Sequence, residues 1–225
     1  MKRLQIKKRD IIVAGVTLIL AGGIAMGVQT IINAQPRLPY SEKGITISWL
    51  PSTVTRWKPT IEADAKKYNV DSNLVAVIMT LESGGYTRAD SGEAVGLMQI
   101  TPATGGDIAT KFLKDTSSNY DLTNAKISIE FGTAYLAYLR DEFCDKTTGP
   151  DWACVELIAA GYNGGPGAAN KVFTGKGLTD TETVVYARDA FNMFREGGQS
   201  KSPTYERWLE RGGKDLVEKA KSEMN

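Results

Sequence analysis

The fold is decided by residues 71–85, which read DSNLVAVIMTLESGG. Asp71 or Ser72 suits a helix N-cap, because its side-chain oxygen can accept a hydrogen bond from a free backbone N–H of the first turn. Gly84 and Gly85 are typical of a helix end, because glycine adopts the left-handed conformation without strain. The pattern therefore predicts a helix over residues 72–83. Its apolar stripe consists of Leu74, Val75, Ile78 and Leu81.

A single carboxylate, Glu82, continues this apolar stripe. Leu74, Ile78 and Glu82 are spaced by four, so they share one face of the predicted helix. Burial and the negative end of the helix dipole both disfavour the ionised form, so we expect a raised pKa for Glu82. Protonation of a glycosidic oxygen needs a carboxyl that keeps its proton near neutral pH. Periodicity alone leaves an alternative open, in which Glu82 is an exposed residue at the helix end.

Most of the remaining chain also shows helical periodicity. Further helices are predicted over about 57–68, from Thr101-Pro102 onward, and over about 127–143, 152–160 and 182–194. Residues 86–100 are short and mixed, which predicts a small β-hairpin or loops. The polar residues 203–225 predict a loosely attached helix. The sequence therefore predicts a mainly α fold with a small β element.

The N-terminal segment has the composition of a membrane span. Residues 11–28 carry no charge and the apolar character continues to Ile32, which gives the roughly 20 residues that a bilayer-crossing helix needs. Five basic residues precede it: Lys2, Arg3, Lys7, Lys8 and Arg9. The positive-inside rule keeps such a segment in the cytoplasm. We predict a single-pass membrane anchor that places the rest of the chain on the extracytoplasmic side, with a cleaved signal peptide as the alternative.

This topology divides the chain into five predicted parts. A cytoplasmic basic segment covers residues 1–10 and a transmembrane signal anchor covers 11–32. Residues 33–56, which contain three prolines and little periodicity, predict a linker that lifts the next domain off the membrane. The helical domain covers 57–200 on the extracytoplasmic side, and a polar helical tail covers 201–225.

Composition excludes several classes of function. The chain has no histidine, which excludes Ser-His-Asp and Cys-His catalysis and any His-ligated zinc site. Two cysteines without histidine make a poor metal site, so we predict no metal and no cofactor. The formal net charge is +1, and no basic stripe follows the first ten residues. Nucleic-acid binding therefore has little electrostatic support.

Cys144 and Cys154 flank a segment with the composition of a loop. In the oxidising compartment that follows from export, this pair predicts a disulfide between two helix ends. The alternative is two unrelated small hydrophobic residues.

Four sequence blocks resemble the soluble-lytic-transglycosylase family, whose catalytic domain is lysozyme-like. They read LESGG at 81–85, GLMQITP at 96–102, GYNGG at 161–165 and ETVVY at 182–186. Their order and separations match the family, and the similarity covers roughly residues 60–195. A family residue that is commonly Met is Thr101 here, which affects one sugar contact.

The resemblance implies a role for residues on the substrate side. Glu82 matches the single catalytic acid/base of the family. Ser91 matches a serine that contacts the substrate's N-acetyl group. Gln99 matches a glutamine of the cleft, with a loop residue bonded to backbone as the alternative. Tyr162 and Tyr186 match tyrosines that line the cleft, with an aromatic core residue as the alternative for Tyr162.

Two further residues match supporting positions of the family. Glu182 corresponds to a carboxylate that is usually buried behind the site. We expect Asn163 to be structural, capping the turn formed with the glycines that follow it. Neither residue is expected to react with substrate.

The resemblance implies cleavage of peptidoglycan glycan strands between N-acetylmuramic acid and N-acetylglucosamine. Glu82 would act first as acid and then as base, and the muramoyl C6 hydroxyl would close on C1 to give a 1,6-anhydro end. No second carboxylate in the blocks matches a nucleophile or a water-activating base. The alternatives are a muramidase-type hydrolase on the same fold and a non-catalytic glycan-binding module. Proteins of an envelope-spanning machine are the expected further partners.

Overall fold

A computed structural model describes residues 38–114, 120–144 and 152–225. The predicted cytoplasmic segment, the anchor over residues 11–32 and the start of the linker lie outside the described residues. Among the residues that are described, no helix is both long and apolar enough to cross a membrane.

The described chain is mainly helical, as predicted. Its α-helices are α1 (Ser52–Thr55), α2 (Lys58–Tyr68), α3 (Ser72–Ser83), α4 (Pro102–Ile108), α5 (Ala125–Leu139), α6 (Trp152–Phe173), α7 (Thr181–Arg195), α8 (Pro203–Trp208) and α9 (Lys214–Ser222). Three π-helical turns extend helices, at Ala109–Leu113, Arg140–Cys144 and Leu209–Gly213, and a 3₁₀ turn at Glu196–Gly198 follows α7.

The central helix α3 has the predicted bounds because both of its ends are specified locally. The Asp71 carboxylate accepts hydrogen bonds from the backbone N–H groups of Asn73 and Leu74, at 2.7 and 3.4 Å. At the other end Gly84 has a φ of +59°, the left-handed conformation that glycine adopts readily. Helix α3 is buried on nearly every side and contacts α1, α2, α5 and α7. Its last turn, which carries Glu82, is therefore held by the rest of the domain.

The small β element consists of two isolated antiparallel bridges, between Asp90 and Val95 and between Val95 and Ile100. Between them the chain turns tightly at Gly96, whose φ is +80°. A Cβ at Gly96 would lie 2.3 Å from the Leu122 carbonyl oxygen, so only glycine fits this position. The element places residues 91–100 beside the end of α3.

The prediction of a linker over residues 33–56 is wrong for its described part. Several apolar side chains of this segment are buried in the core: Leu38, Ile45, Ile47, Leu50 and Val54. The segment is extended before α1, so it shows no helical periodicity. Its backbone donors are satisfied by side chains of α2 and α3: Ile45 N donates to Glu62 Oε1 at 2.8 Å, and Thr46 N donates to Asn73 Oδ1 at 2.8 Å.

The prediction of a loosely attached C-terminal tail is also wrong. Tyr205, Trp208, Val217 and Ala220 are buried. The ring of Tyr205 stacks between those of Trp49 and Trp208, with centroid separations of 5.5 and 5.7 Å. The tail is polar on average because only one face of α9 is apolar, and that face is covered.

Candidate active site

One cavity of about 330 Å³ lies at the end of α3. It brings together six of the seven residues that the sequence predicted for the site: Glu82, Ser91, Gln99, Tyr162, Asn163 and Glu182. The seventh, Tyr186, contacts Glu82 directly. Residues from six parts of the chain therefore meet at one site: α3, the β element, the start of α4, α5, α6 and α7.

Glu82 is partly buried in the last turn of α3. The Tyr186 hydroxyl donates a hydrogen bond of 2.5 Å to its Oε1. Burial raises the pKa of Glu82 to about 8; the hydrogen bond from Tyr186 lowers it, and the charge of Glu182 raises it. At neutral pH the carboxyl is therefore mostly protonated, and it is able to donate that proton into the cavity.

Three long-range hydrogen bonds fix the GLMQ turn against the end of α3. Ser83 Oγ donates to the Leu97 carbonyl oxygen at 2.7 Å, and Met98 N donates to Ser128 Oγ at 3.1 Å. The Tyr162 hydroxyl donates to the Met98 carbonyl oxygen at 2.9 Å. All three are buried, where a missing partner would leave a costly unsatisfied group. They join α3, α5 and α6 through this turn.

Tyr162 combines the two interpretations that the sequence left open. It lines the cavity, yet it is only 9% exposed and packs on the Tyr135 ring at a centroid distance of 5.5 Å. Burial raises the pKa of Tyr162 well above its ordinary value, and the nearby charge of Glu82 adds to this effect. Because its hydroxyl proton is donated to Met98, Tyr162 forms a neutral wall of the cavity.

Gln99 also lines the cavity while bonding to backbone. Its φ is +45°, a left-handed conformation that is uncommon outside glycine. Its Nε2 donates to the carbonyl oxygens of Ala89 and Gly96, each at 3.0 Å. Two carbonyl neighbours fix the amide orientation, because only the NH₂ group can donate to them. The Oε1 atom then remains as the acceptor that Gln99 can offer to a ligand.

Ser91 lies at the exposed rim of the cavity, in the β element. Its Oγ accepts a hydrogen bond of 3.1 Å from Ala94 N and lies 3.3 Å from the Ala94 carbonyl oxygen. Asn163 is exposed and does not cap a turn as predicted. It lies within α6, before the kink at Gly165, and its Oδ1 accepts a hydrogen bond of 2.8 Å from Thr183 Oγ1. Asn163 therefore ties α6 to the first turn of α7.

Glu182 differs from its expected position. The resemblance implies a buried carboxylate, but Glu182 is exposed in the first turn of α7 and lines the cavity. A carboxylate is favoured there by the positive end of the helix dipole, so it needs no buried partner. Its effect on the site is electrostatic, because its negative charge raises the pKa of Glu82.

Several cavity residues are missing from the sequence-based prediction. Glu93, Thr104 and Tyr135 all line the cavity. Tyr135 lies on the face of α5 that the periodicity assigns to the core, and nothing local distinguishes a core tyrosine from a cavity wall. Glu93 lies two residues after Ser91, so its closeness to a predicted site residue could have indicated it. The cavity therefore has three carboxyl side chains, those of Glu82, Glu93 and Glu182.

The described ranges 38–114, 120–144 and 152–225 contain no cluster of three or more side chains that could hold a metal ion. Cys144 ends the π-helical turn after α5, and Cys154 lies in the first turns of α6. Both are buried. Their pairing as a disulfide stays a prediction.

The mainly helical fold places a carboxyl with a raised pKa on a polar cavity, an arrangement that fits a lysozyme-like domain. A model of the transglycosylase SLT domain family matches residues 59–185, which is more than half of the chain. The chain belongs to this family.

Known proteins agree with this assignment. The chain is 39% identical over 121 residues to membrane-bound lytic murein transglycosylase C of Actinobacillus pleuropneumoniae, covering 52% of this chain and 33% of that protein. It is 42% identical over 89 residues to membrane-bound lytic murein transglycosylase E of Buchnera aphidicola, covering 38% and 42%. The chain therefore spans a third to two fifths of the length of these two relatives.

A solved structure supports the fold alone. An inactive mutant of the lytic transglycosylase Slt of Pseudomonas aeruginosa superimposes with a TM-score of 0.51 at 23% identity. The match covers 67% of this chain and 25% of that one.

Proposed function

We propose that this chain is a lytic transglycosylase that cleaves the β-1,4 bond between N-acetylmuramic acid and N-acetylglucosamine in peptidoglycan. The observation that carries this proposal is Glu82, a carboxyl on the cavity whose pKa is raised to about 8. Family membership supports the same reaction, and two relatives bear the name lytic murein transglycosylase.

In the first step the Glu82 carboxyl donates its proton to the glycosidic oxygen. A sugar oxygen is a poor leaving group until it is protonated, and Glu82 still holds a proton at neutral pH. As the bond breaks, the substrate's own N-acetyl oxygen assists at C1. Ser91, at the rim of the same cavity, orients that group.

In the second step the Glu82 carboxylate accepts the proton of the muramoyl C6 hydroxyl. The hydroxyl oxygen then bonds to C1, which gives a 1,6-anhydro end without consuming water. The Tyr186 hydroxyl stabilises the carboxylate between the two steps, because it already donates to Oε1. The nucleophile is part of the substrate, which removes much of the entropy cost of a bimolecular attack.

The remaining site residues bind the strand or hold the site. Gln99 offers Oε1 to a sugar N–H or O–H group, since its amide N–H groups are already used. Tyr162 forms a wall and supports the GLMQ turn through Met98. Glu182 keeps the proton on Glu82 through its negative charge. Asn163 positions the first turn of α7, from which Glu182 projects.

A hydrolase is the second candidate, favoured by one observation. Glu93 and Glu182 both line the cavity, so either could serve as the second carboxylate that activates water. Digestion of purified sacculi by the full-length protein in detergent separates the two reactions by product mass. Transglycosylation gives anhydro-muropeptides, whereas hydrolysis gives products heavier by one water per cut. Products of neither kind would refute both candidates and favour the glycan-binding module.

We further propose that residues 11–32 anchor the protein in the inner membrane, with residues 1–10 in the cytoplasm and the enzyme domain in the periplasm. Two relatives are named membrane-bound, which supports this placement. Intact-mass measurement of protein purified from membranes distinguishes a retained anchor from a cleaved signal peptide, because cleavage removes the first residues.

The same sample tests two smaller proposals. A disulfide between Cys144 and Cys154 would lower the intact mass by two hydrogens relative to the reduced protein. Partner proteins from an envelope-spanning machine would co-purify from detergent-solubilised membranes. Each proposal follows from export and is independent of the reaction.

A further inference from the structure

The end of the catalytic helix is held by two segments that lie outside the family-matched residues 59–185. From the N-terminal side, Thr53 Oγ1 donates a buried hydrogen bond of 2.6 Å to the Gly84 carbonyl oxygen. A Cβ at Gly85 would lie only 2.2 Å from the Thr53 carbonyl oxygen. From the C-terminal side, a Cβ at Gly84 would lie 3.0 Å from Val217 Cγ2 and 3.3 Å from Trp208. The two glycines after Glu82 are thus enclosed between both segments.

Glu223, near the end of the chain, is the polar centre of this arrangement. Its Oε2 accepts hydrogen bonds from Arg56 Nη2 at 3.0 Å and from Thr87 N at 3.1 Å. Its Oε1 accepts from Thr87 Oγ1 at 2.6 Å and from Arg88 Nε at 3.3 Å. The side chain is only 10% exposed. A carboxylate with four donors on both oxygens holds its neighbours far more firmly than an exposed ion pair does.

Arg56 extends this contact to the helix end. Its Nη2 also donates to the Gly85 carbonyl oxygen at 3.0 Å, so Glu223 and Gly85 share one guanidinium. Burial raises the pKa of Glu223, but the hydrogen bonds from Thr87, Arg56 and Arg88 outweigh it and the net pKa is lowered. The carboxylate therefore stays ionised at any pH near neutrality.

The segment held in this way connects Glu82 and Ser91, the two groups that the proposed mechanism places at the scissile bond. Glu82 lies just before Gly84, and Ser91 follows Arg88 by three residues. Fixing the backbone at Gly85 and Thr87 therefore fixes where both side chains enter the cavity. Displacements of about 1 Å in such groups can cost roughly a hundredfold in rate.

We propose that Glu223 is a positioning residue for catalysis: through Thr87, Arg56 and Arg88 it holds the segment between Glu82 and Ser91 in its reactive geometry. This inference rests on the proposed transglycosylase function. It assigns the last residues of the chain, which lie beyond the family-matched region, a part in the reaction.

The test uses full-length protein in detergent and soluble, uncross-linked glycan strands. Glu223→Ala and Thr87→Val each remove donors or acceptors of the contact. Glu218→Gln is the matched control, because Glu218 is an exposed residue of α9, the helix that ends just before Glu223, and its ion pair among the described contacts is with Lys221 at 2.8 Å. Activity is measured well below the melting temperature of each variant, so that a loss of folded protein does not contribute.

We expect Glu223→Ala to lower kcat about tenfold with KM changed less than about twofold, and Glu218→Gln to match the wild type. Loosening the segment admits water to Glu82, and burial is the main cause of its raised pKa. The basic limb of the pH–rate profile therefore moves to lower pH. In the double variant the losses from Glu223→Ala and Thr87→Val should not multiply, because both act through one contact.

An unchanged kcat and pH profile in folded Glu223→Ala protein would overturn the proposal, as would fully multiplicative losses in the double variant. A lower melting temperature with wild-type kcat would also overturn it, since that result describes a structural role only. If the wild type itself forms no anhydro products while glycan binding persists, the proposed function fails instead, and the two failures are distinguishable.

Discussion

Glu82, on the cavity, and Asp64, in α2, both have raised pKa values, but they differ in the groups that lie beside them. Both have raised pKa values with burial as the largest cause, to about 8 for Glu82 and about 6 for Asp64. Each also lies near a second carboxylate that raises its pKa further, Glu182 in the cavity and Glu130 on α5.

The two carboxyls differ in the group that favours their ionised form. Beside Asp64, the cation Lys67 lowers the pKa, and Lys67 also binds Glu130 at 2.6 Å. Beside Glu82, the corresponding stabiliser is the neutral hydroxyl of Tyr186. A cation would keep the acid ionised at neutral pH, whereas a hydroxyl leaves it protonated and still supports the carboxylate once the proton has left. Burial is the largest cause of the raised pKa at both carboxyls, and the neighbouring group, a hydroxyl at Glu82 and a cation at Asp64, adds to the difference between them.

The largest expected effect is on activity. Glu82→Gln should abolish formation of anhydro-muropeptides, a loss of at least about 10²–10⁴-fold, because positioned proton transfer contributes that much. Asp64→Asn is the matched control, because it removes an equally unusual carboxyl outside the cavity, and it should retain nearly full turnover. The measurement is product release from sacculi by mass spectrometry. Substantial turnover by folded Glu82→Gln protein contradicts the assignment.

The same two variants should raise stability in a pH-dependent manner. The folded pKa of Glu82, about 8, exceeds the unperturbed value of 4.5, so the folded state binds more protons and stability falls as pH rises through this window. Glu82→Gln removes that loss, with a gain of up to about 4 kcal/mol at pH 8, or roughly 8–16 °C in melting temperature.

Asp64→Asn should show the same sign with a smaller gain, which develops between about pH 4 and pH 6 because the pKa rises only from 3.8 to about 6. Thermal unfolding at pH 4 and pH 8 measures both variants. Equal gains at the two pH values would show that the carboxyls are not proton-linked to folding.

Tyr186→Phe tests the hydroxyl that lies beside Glu82, where Asp64 has the cation Lys67. Removing its hydrogen bond should lower kcat about tenfold, because the carboxylate formed after proton donation loses its donor. The same hydrogen bond lowers the pKa of Glu82, so the basic limb of the pH–rate profile should move to higher pH. Tyr68→Phe removes the corresponding hydroxyl at Glu130 and serves as control. A basic limb that moves to lower pH would refute this role.

Glu182→Gln should give the smallest change. Removing the charge lowers the pKa of Glu82, so the basic limb should move to lower pH by less than about one unit, since solvent screens an exposed charge. Glu130→Gln should leave the profile unchanged, because its charge acts on Asp64. A shift to higher pH in Glu182→Gln, or none at low salt, would remove Glu182 from the site's electrostatics.

The sequence predicts some parts of this structure better than others, for physical reasons. Helix α3 was predictable because Asp71, its apolar stripe and Gly84 are local signals. The buried segment that contains Ile45 and Ile47 was not, because extended chain lacks helical periodicity and its backbone bonds to distant side chains. The packed tail was missed because a few buried residues such as Trp208 stabilise it despite its polar composition.

In the site, too, some features follow from local sequence and others depend on packing. The face of Glu82 could be derived from spacing alone, and the family resemblance indicated which residues gather around it. The exposure of Glu182 and the hydrogen bond from Tyr162 to Met98 depend on how α6 and α7 pack, which no local pattern specifies. Glu223 lies beyond the family-matched region, so no motif pointed to it.

The most direct measurement of the central claim is the pKa of Glu82 itself. Carbon-13 NMR of the glutamate carboxyl groups, with Glu82→Gln used to assign the signal, follows its titration in the folded protein. We expect a midpoint near pH 8. A midpoint near 4.5, the value of an unperturbed glutamate, would mean that Glu82 is ionised at neutral pH and has no proton to give.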